Sequence, residues 1–190
     1  MKETSKTQSP PYVRYLGWLT SPFPDFDFFF IKSVRRRAAE LLKLKPGDRV
    51  IDAGCGSGGS FPFLVAEVGP GGEVVGIEIS PESTASARRR IEKNGWSNVT
   101  VIESPAEDAV LTGTFDGLLM FAAPDVYASD SAWKNLGPYL KPNARVAFFG
   151  AKLTRRPGRV ILNPVLRTLY RLSFATTPGP DMRPWDAVEA

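Results

Sequence analysis

Asp52 and Glu78 are the side chains around which the chemistry of this chain is organised. Asp52 stands at the mouth of Arg49-Val-Ile-Asp-Ala-Gly-Cys-Gly-Ser-Gly-Gly59, where a hydrophobic run meets a glycine turn. Gly54, Gly56 and Gly58 lack a Cβ, so they permit tight dihedrals and are expected to leave amides facing whatever sits over the turn. Glu78 closes a second hydrophobic run, Val74-Val-Gly-Ile77, about twenty residues past Gly58. An acid at the end of a second parallel strand is placed to accept hydrogen bonds from both hydroxyls of a ribose.

Gly54, Gly56, Gly58 and Gly59 also satisfy Gly-x-Gly-x-x-Gly, so a dinucleotide dehydrogenase is one reading of the turn. Asp52 argues against it, because a carboxylate just before the turn would repel a pyrophosphate. The same carboxylate suits a cationic or zwitterionic ligand that carries an ammonium group. Further polar candidates at the mouth are Asp125, Tyr127, Asp130, Tyr12 and Tyr15. Asp125 follows Phe121-Ala-Ala-Pro124, beyond a strand end, where it could orient an acceptor hydroxyl or amine or serve as an ordinary loop acid. The chain has no histidine, so no imidazole can move a proton near pH 7. Its one cysteine, Cys55, reads as a small buried filler inside the turn, and no metal is expected.

The pattern of elements that must position these groups alternates helix and strand. Ile31, Val34, Ala38, Leu41 and Leu42 predict a helix over 29–44, ended by Lys45-Pro-Gly-Asp48. Strands are expected over 49–52, 73–79, 99–102, 115–121 and 144–149. Helices are expected just past Gly59, from Ser80 to Asn94, over 131–140 and over 163–174, with a turn at Lys141-Pro-Asn143. Such alternation gives an α/β Rossmann-like fold, a doubly wound, mostly parallel sheet with helices on both faces. The residues after Trp185 are too few for a hairpin. Measured against the two closing strands common in the family that the motifs below resemble, the sheet is expected to lack the last one or two, and the uncovered flank predicts a homodimer or another protective arrangement.

At 190 residues and a net charge of +4 the chain is long enough for one full core. Its polar first nine residues do not form a signal peptide, and no apolar run reaches the length of a membrane span, so a cytoplasmic location is expected. No Asp or Glu occurs from Ser131 to Pro180, whereas nine Lys and Arg do. A helix carrying Arg167 and Arg171 beside Leu166, Leu169 and Leu172 could rest peripherally on an anionic membrane surface. The same basic stretch would attract RNA phosphates, but aromatic residues are not interleaved with it as a stacking platform requires, so RNA is the weaker partner. The triplets Arg35-Arg-Arg37 and Arg88-Arg-Arg90 wrap around their helices and are read as solvated surface.

Taken in order, these segments resemble the class I S-adenosylmethionine-dependent methyltransferases over roughly residues 34–149. Val50-Ile-Asp-Ala-Gly-Cys-Gly-Ser-Gly58 is similar to the family's first motif and Val74-Val-Gly-Ile-Glu-Ile-Ser-Pro-Glu82 to its second-strand motif. Glu103-Ser-Pro-Ala-Glu-Asp108, Gly113 to Phe121 and Leu140 to Val146 resemble the segments that follow. Residues 1–30 read as a polar arm and an aromatic segment that either caps the sheet edge or roofs a substrate pocket, and 31–190 as the methyltransferase domain. The resemblance implies S-adenosylmethionine as cofactor, with Gly54, Cys55, Gly56 and Gly58 along its methionine part and Asp52 fixing its ammonium. Glu78 would hold the ribose hydroxyls, Ile79 would pack on adenine, Ala106 and Glu107 would border the adenine edge, and Phe121 would lie beside the methyl. The family often has Asp-Ala where this chain has Pro105-Ala106, so the polar contact to adenine passes to Glu107 or a backbone amide; Glu107 reads equally as a turn cap. Catalytic duty would fall to Asp125, Tyr12 and Tyr15. The acceptor implied is a small, apolar or lipid-like molecule of the quinone, sterol and phospholipid kind. RNA methylation and a noncatalytic, partner-activating subunit are the alternatives.

Overall fold

The computed structural model describes residues 29–150, which fall within one compact unit. In chain order the elements are α1 (Phe29–Leu41), β1 (Arg49–Ala53), α2 (Phe61–Val68), β2 (Glu73–Glu78), α3 (Pro81–Asn94), β3 (Val99–Glu103) and β4 (Phe115–Phe121). They continue with α4 (Pro124–Tyr127), α5 (Asp130–Leu136), a 3-10 turn (Gly137–Tyr139) and β5 (Leu140–Phe149).

The five strands pair in parallel in the order β3-β2-β1-β4-β5. β1 lies between β2 and β4, with Asp52 opposite Gly76 on one side and Leu119 on the other. The chain moves outward from β1 to β3 and then crosses back to β4. The order therefore reverses between β1 and β4, and a crevice opens there beyond the carboxyl ends of the strands.

Alternation along the strands builds two separate cores. Val50, Leu119 and Phe121 join Ala38, Leu42, Leu64 and Ala87 on the α1–α3 face. Ile51, Leu118 and Met120 join Tyr127, Ala132 and Leu136 on the face covered by α4 and α5. Successive strand side chains point to opposite faces, which is why a continuous apolar run serves a sheet buried on both sides. Val50, Ile51, Leu118 and Leu119 are each wholly inaccessible, a burial worth about 1.5–3 kcal/mol per side chain. Asp52 has the parity of Val50 and therefore faces α1–α3.

Caps anchor the connecting helices. Ser80 accepts the Ser83 amide at the start of α3, Pro81 occupies the first turn, and Gly95 ends the helix in a left-handed conformation. The short α4 was not foreseen, since four residues carry too little periodicity to be seen in sequence. The helix expected over 131–140 is instead α5 followed by a 3-10 turn that contains Pro138. The turn expected at Lys141-Pro-Asn143 lies inside β5 as a bulge. Phe115 pairs with Leu140 and Gly117 with Arg145, so residues 141–144 loop out opposite Asp116. The expectations for residues 12–28, for the basic helix over 163–174, and for the missing strands and dimer flank after it lie outside the described residues.

Candidate functional site

Four loops meet beyond the carboxyl ends of the strands. The turn after β1 can approach the one after β4 because residue 54 is glycine, for a Cβ there would lie 2.5 Å from that of Ala123. Gly54, Gly56 and Gly58 all adopt positive φ, a region that costs a residue with a Cβ about 1–2 kcal/mol. A Cβ on Gly56 would meet nothing within 4 Å, so this glycine borders open space. Ala122, at the end of β4, holds φ of 57° with its amide donating to the Phe149 carbonyl at 2.7 Å. Backbone held in this sparsely populated region is concentrated at functional sites.

The glycine turn differs from expectation in one respect. Its amides do not form an open cradle: those of Gly54 and Cys55 donate to the Ile77 carbonyl at 2.8 and 3.0 Å, and that of Gly58 to the Cys55 carbonyl at 3.0 Å. The Gly56 amide donates to Glu78 Oε2 at 2.8 Å. A pyrophosphate needs such amides, and the four at positions 54, 55, 56 and 58 are already engaged, which argues against the dinucleotide reading.

Asp52 is completely buried, and neither carboxylate oxygen makes a well-aligned hydrogen bond, although the Ser60 hydroxyl lies near enough to offset a little of the effect of burial. Burial raises its pKa from 3.8 to about 7; the Arg35 guanidinium opposes the rise, the Glu78 charge adds to it, and the nearby Ser60 hydroxyl opposes it weakly. A buried carboxylate with no well-aligned donor is expensive to maintain, which suits it to a ligand that brings a positive group. Glu78 is organised differently. Besides the Gly56 amide it accepts that of Ser80 at 2.9 Å, so two backbone donors orient the carboxylate. Its pKa is raised by burial, against the pull of those amides.

The structure brings further acids to the same mouth. Asp125 sits on the first turn of α4; its side chain is exposed by area, yet surrounding protein raises its pKa and the Glu107 charge adds to the rise. Asp125 in turn bears on Glu78. Glu107 is exposed, in the loop after β3. Ile79 presents 61% of its surface at the end of β2, unusual for an isoleucine in a parallel sheet and suitable for stacking on a flat apolar ring. Ala106 is buried, and Asn135 of α5 donates to its carbonyl and to that of Ala109, both at 2.9 Å. Asn135 was not singled out from sequence, because its partners lie 26 and 29 residues away.

Cys55 is buried, and burial together with Asp52 and Glu78 pushes its thiol pKa well above the ordinary value, which makes it inert filler. Phe121 is buried and stacks on Phe149 with ring centroids 4.8 Å apart. Tyr127 is corrected from the list of polar groups at the mouth: it is wholly buried and packs on Phe148 in the opposite core. Asp130 begins α5 and is exposed. Tyr12 and Tyr15 lie outside the described residues.

The reading of Arg35 as solvated surface is also corrected. Its guanidinium lies 4.3 Å from the centroid of the Phe121 ring and donates to Ser60 Oγ at 3.2 Å. A sequence signal existed, because residue 35 is four after Ile31 and three before Ala38 and so shares the inward stripe of α1.

The family model described as a methyltransferase domain matches residues 44–152. That is more than half of the chain. The chain belongs to this methyltransferase family. Nocamycin O-methyltransferase of Saccharothrix syringae is 32% identical over 126 residues, which are 64% of this chain and 44% of that protein. Protein-L-isoaspartate O-methyltransferase of Aeropyrum pernix is 35% identical over 95 residues, 49% of this chain and 36% of that protein. The chain thus spans less than half the length of these curated relatives. Among solved structures, a SAM-dependent methyltransferase from Aquifex aeolicus superposes with a TM-score of 0.58 at 25% identity, covering 76% of this chain and 74% of the other. The methyltransferase fold of the described residues is the Rossmann-like sheet expected from sequence. Among the described residues, no helix of the chain is long and apolar enough to cross a membrane.

Proposed function

We propose that the protein transfers a methyl group from S-adenosylmethionine to a small, apolar or lipid-like acceptor. The observation that carries this reading is the buried Asp52 carboxylate, whose two oxygens make no well-aligned hydrogen bond, at the switch point between β1 and β4. An ammonium group is the ligand feature that would relieve it, and the methionine tail of S-adenosylmethionine has one. The other residues fit the rest of that molecule. Glu78, already oriented by two amides, retains lone pairs for the ribose hydroxyls. Ile79 offers the apolar face for adenine, and Ala106 and Glu107 border its edge. Gly54, Cys55, Gly56 and Gly58 run along the methionine part.

When bound, S-adenosylmethionine supplies a methyl group already activated on a positive sulfur. What remains for the protein is to align the acceptor, exclude water and remove a proton where the acceptor carries one. Phe121 and the strained Ala122 form the wall at the end of β4. Asp125, with its raised pKa, can orient an acceptor hydroxyl or amine and take up its proton. Tyr12 and Tyr15 are proposed as further polar groups at the acceptor side.

Nocamycin O-methyltransferase supports a small molecule, while protein-L-isoaspartate O-methyltransferase shows that similar sequences accompany other acceptors. The acid-free basic stretch from Ser131 to Pro180 favours RNA as the second reading. Calorimetric titration with S-adenosylmethionine, S-adenosylhomocysteine and NAD, followed by labelled-methyl transfer to lipid, quinone and RNA pools, separates the readings. Label in extractable small molecules supports the proposal, and label in RNA replaces it with the second reading. Tight cofactor binding without transfer assigns a noncatalytic role, and NAD binding alone refutes the methyltransferase reading.

A further inference from the structure

The strand order divides the carboxyl edge of the sheet between two ligands. In the order β3-β2-β1-β4-β5, Asp52 of β1 and Glu78 of β2 serve the cofactor, which leaves the ends of β4 and β5 to the acceptor. Among the described residues, two large apolar side chains stand exposed where a strand reaches that edge. They are Ile79, just past β2, and Phe149, the last residue of β5, with 61% and 40% of their surface uncovered. Ile79 lies on the cofactor side. Phe149 lies on the other.

Phe149 is held through its backbone and through its ring. Its carbonyl accepts the amide of the strained Ala122 at 2.7 Å, which ties the end of β5 to the end of β4. Gly150 lets the chain pass close to α4, because a Cβ there would run into the Tyr127 hydroxyl. The Phe148 ring packs on Tyr127 in the opposite core, so by alternation Phe149 falls on the face that carries Phe121 and Asp52. There its ring lies on that of Phe121, with centroids 4.8 Å apart and planes inclined by 17°, while the Arg35 guanidinium lies 4.3 Å from the same Phe121 centroid. One face of a phenyl ring has no room for both. Arg35, Phe121 and Phe149 therefore form a column in which both faces of Phe121 are covered and Phe149 comes last. With one face spent on Phe121, the exposed surface of Phe149 is its other face and its edge.

We propose that Phe149 selects the acceptor, and that the acceptor carries a flat aromatic ring which extends the column by stacking on Phe149. The assignment rests on the methyltransferase reading given above and narrows it from any small apolar acceptor to one with a planar ring. Offset stacking of two aromatic rings gains beyond the area it buries, and a puckered ring or a chain of equal carbon count does not share in that gain. Phe149 is already fixed by its neighbours. An added ring thus meets a surface with little side-chain freedom left to lose.

The test is calorimetric, on the full chain saturated with S-adenosylhomocysteine, which fills the cofactor crevice, Ile79 included, and leaves the acceptor side open. Naphthol, decahydronaphthol and decanol each carry ten carbons and one hydroxyl, as a flat ring pair, a puckered ring pair and a chain. Naphthol is expected to bind about three- to tenfold tighter than either of the others. Phe149→Leu keeps an apolar side chain without a ring and should erase that preference while S-adenosylhomocysteine binds as before. Phe149→Met makes the same comparison if the leucine variant does not fold, and Phe149→Trp should retain the preference. Equal affinity for the three alcohols, tighter binding of decanol, or no binding of naphthol to the filled protein would overturn the proposal. A preference for naphthol that survives loss of the ring would overturn it too, since the acceptor ring would then be held elsewhere. Loss of S-adenosylhomocysteine affinity in the ringless variants would overturn it as well and leave Phe149 a support of Phe121. Failure of the unaltered protein to bind S-adenosylhomocysteine would instead remove the methyltransferase reading on which the assignment stands.

Discussion

The two ends of β1 show opposite treatment of charge. At its amino end every charge is answered. Arg49 Nε donates to Glu73 at 2.6 Å, its other nitrogens reach the carbonyls of Thr112 and Thr114, and the guanidinium lies 4.4 Å from the centre of the Phe115 ring. Asp116 accepts the Arg49 amide at 3.0 Å and the Lys141 ammonium at 2.8 Å, so its pKa is lowered by these partners although partial burial pushes upward. Three residues further on, Asp52 is buried with neither oxygen in a well-aligned hydrogen bond. Glu78 and Asp125 beside it are likewise pushed up by burial. The contrast teaches where the molecule spends stability on function. The acids at the carboxyl end are held mainly by burial, backbone amides and the nearby Arg35 charge rather than by direct ion pairs, which leaves them able to engage the charges of a ligand.

The largest break of this contrast is expected from Asp52→Asn. The ordinary pKa of 3.8 against about 7 in the folded chain means that the fold holds a proton in that window which the unfolded chain has released. This contribution to stability is complete below about pH 4 and is lost as pH rises through about 7. Asparagine cannot lose that proton, so near pH 8 the empty variant should be more stable by on the order of 3 kcal/mol, with no gain near pH 4. Chemical denaturation at the two pH values reads this directly. The same variant, like Asp52→Ala, should bind S-adenosylmethionine more weakly by about 1–3 kcal/mol. A variant that loses stability at both pH values would show that the Asp52 carboxylate has a partner in the empty protein.

Glu78→Ala should weaken binding by a similar amount, about 1–3 kcal/mol, but the loss should extend to 5′-methylthioadenosine because it falls on the ribose. Equal affinity for that nucleoside before and after the change would place the sugar elsewhere.

A smaller effect sharpens the comparison without mutation. An ammonium beside Asp52 draws its pKa back down, so binding near pH 6 should release up to about one proton, whereas above about pH 8, where the ligand's own α-amino group has lost its proton, binding should take one up. Affinity should accordingly rise from pH 6 to about 7 and fall again above about 8. Calorimetry in buffers of different ionisation heat counts the proton, and a pH-independent enthalpy would contradict the assignment.

The smallest change is expected at the satisfied end. Asp116→Asn removes a half-exposed pair with Lys141 and should cost about 1 kcal/mol or less at neutral pH, fading in high salt. The paired carboxylate contributes above its ordinary pKa and loses that contribution as pH falls below about 4, the reverse of Asp52. Binding of the cofactor should not change; a shift in affinity would mean that the two ends of β1 are coupled.

Much of this was legible before the fold was seen. Ser80-Pro-Glu and Asn94-Gly95 bracket a helix through local bonds of the backbone to its own neighbours, so no distant contact is needed to place it. The apolar runs at 49–52, 73–79 and 115–121 read as strands for the same reason, and the structure shifts two of their ends by one residue. The bulge of β5 was not legible, because Lys141-Pro-Asn143 has the composition of a turn whether or not the chain continues in the sheet; pairing across to Phe115 and Gly117 makes it a strand.

Within the site the division follows the same line. Residue type and spacing were enough to name Asp52, Glu78 and the glycines, since a carboxylate at a strand end and a residue without Cβ have meanings that travel with the sequence. That the glycine amides are already engaged, that Tyr127 belongs to the opposite core, that Asp52 has no well-aligned donor and that Arg35 lies over Phe121 depend on which segments come to rest against one another. Those contacts join residues tens of positions apart, and no local propensity encodes them; they exist because packing two cores against one sheet leaves each polar group either a partner or none.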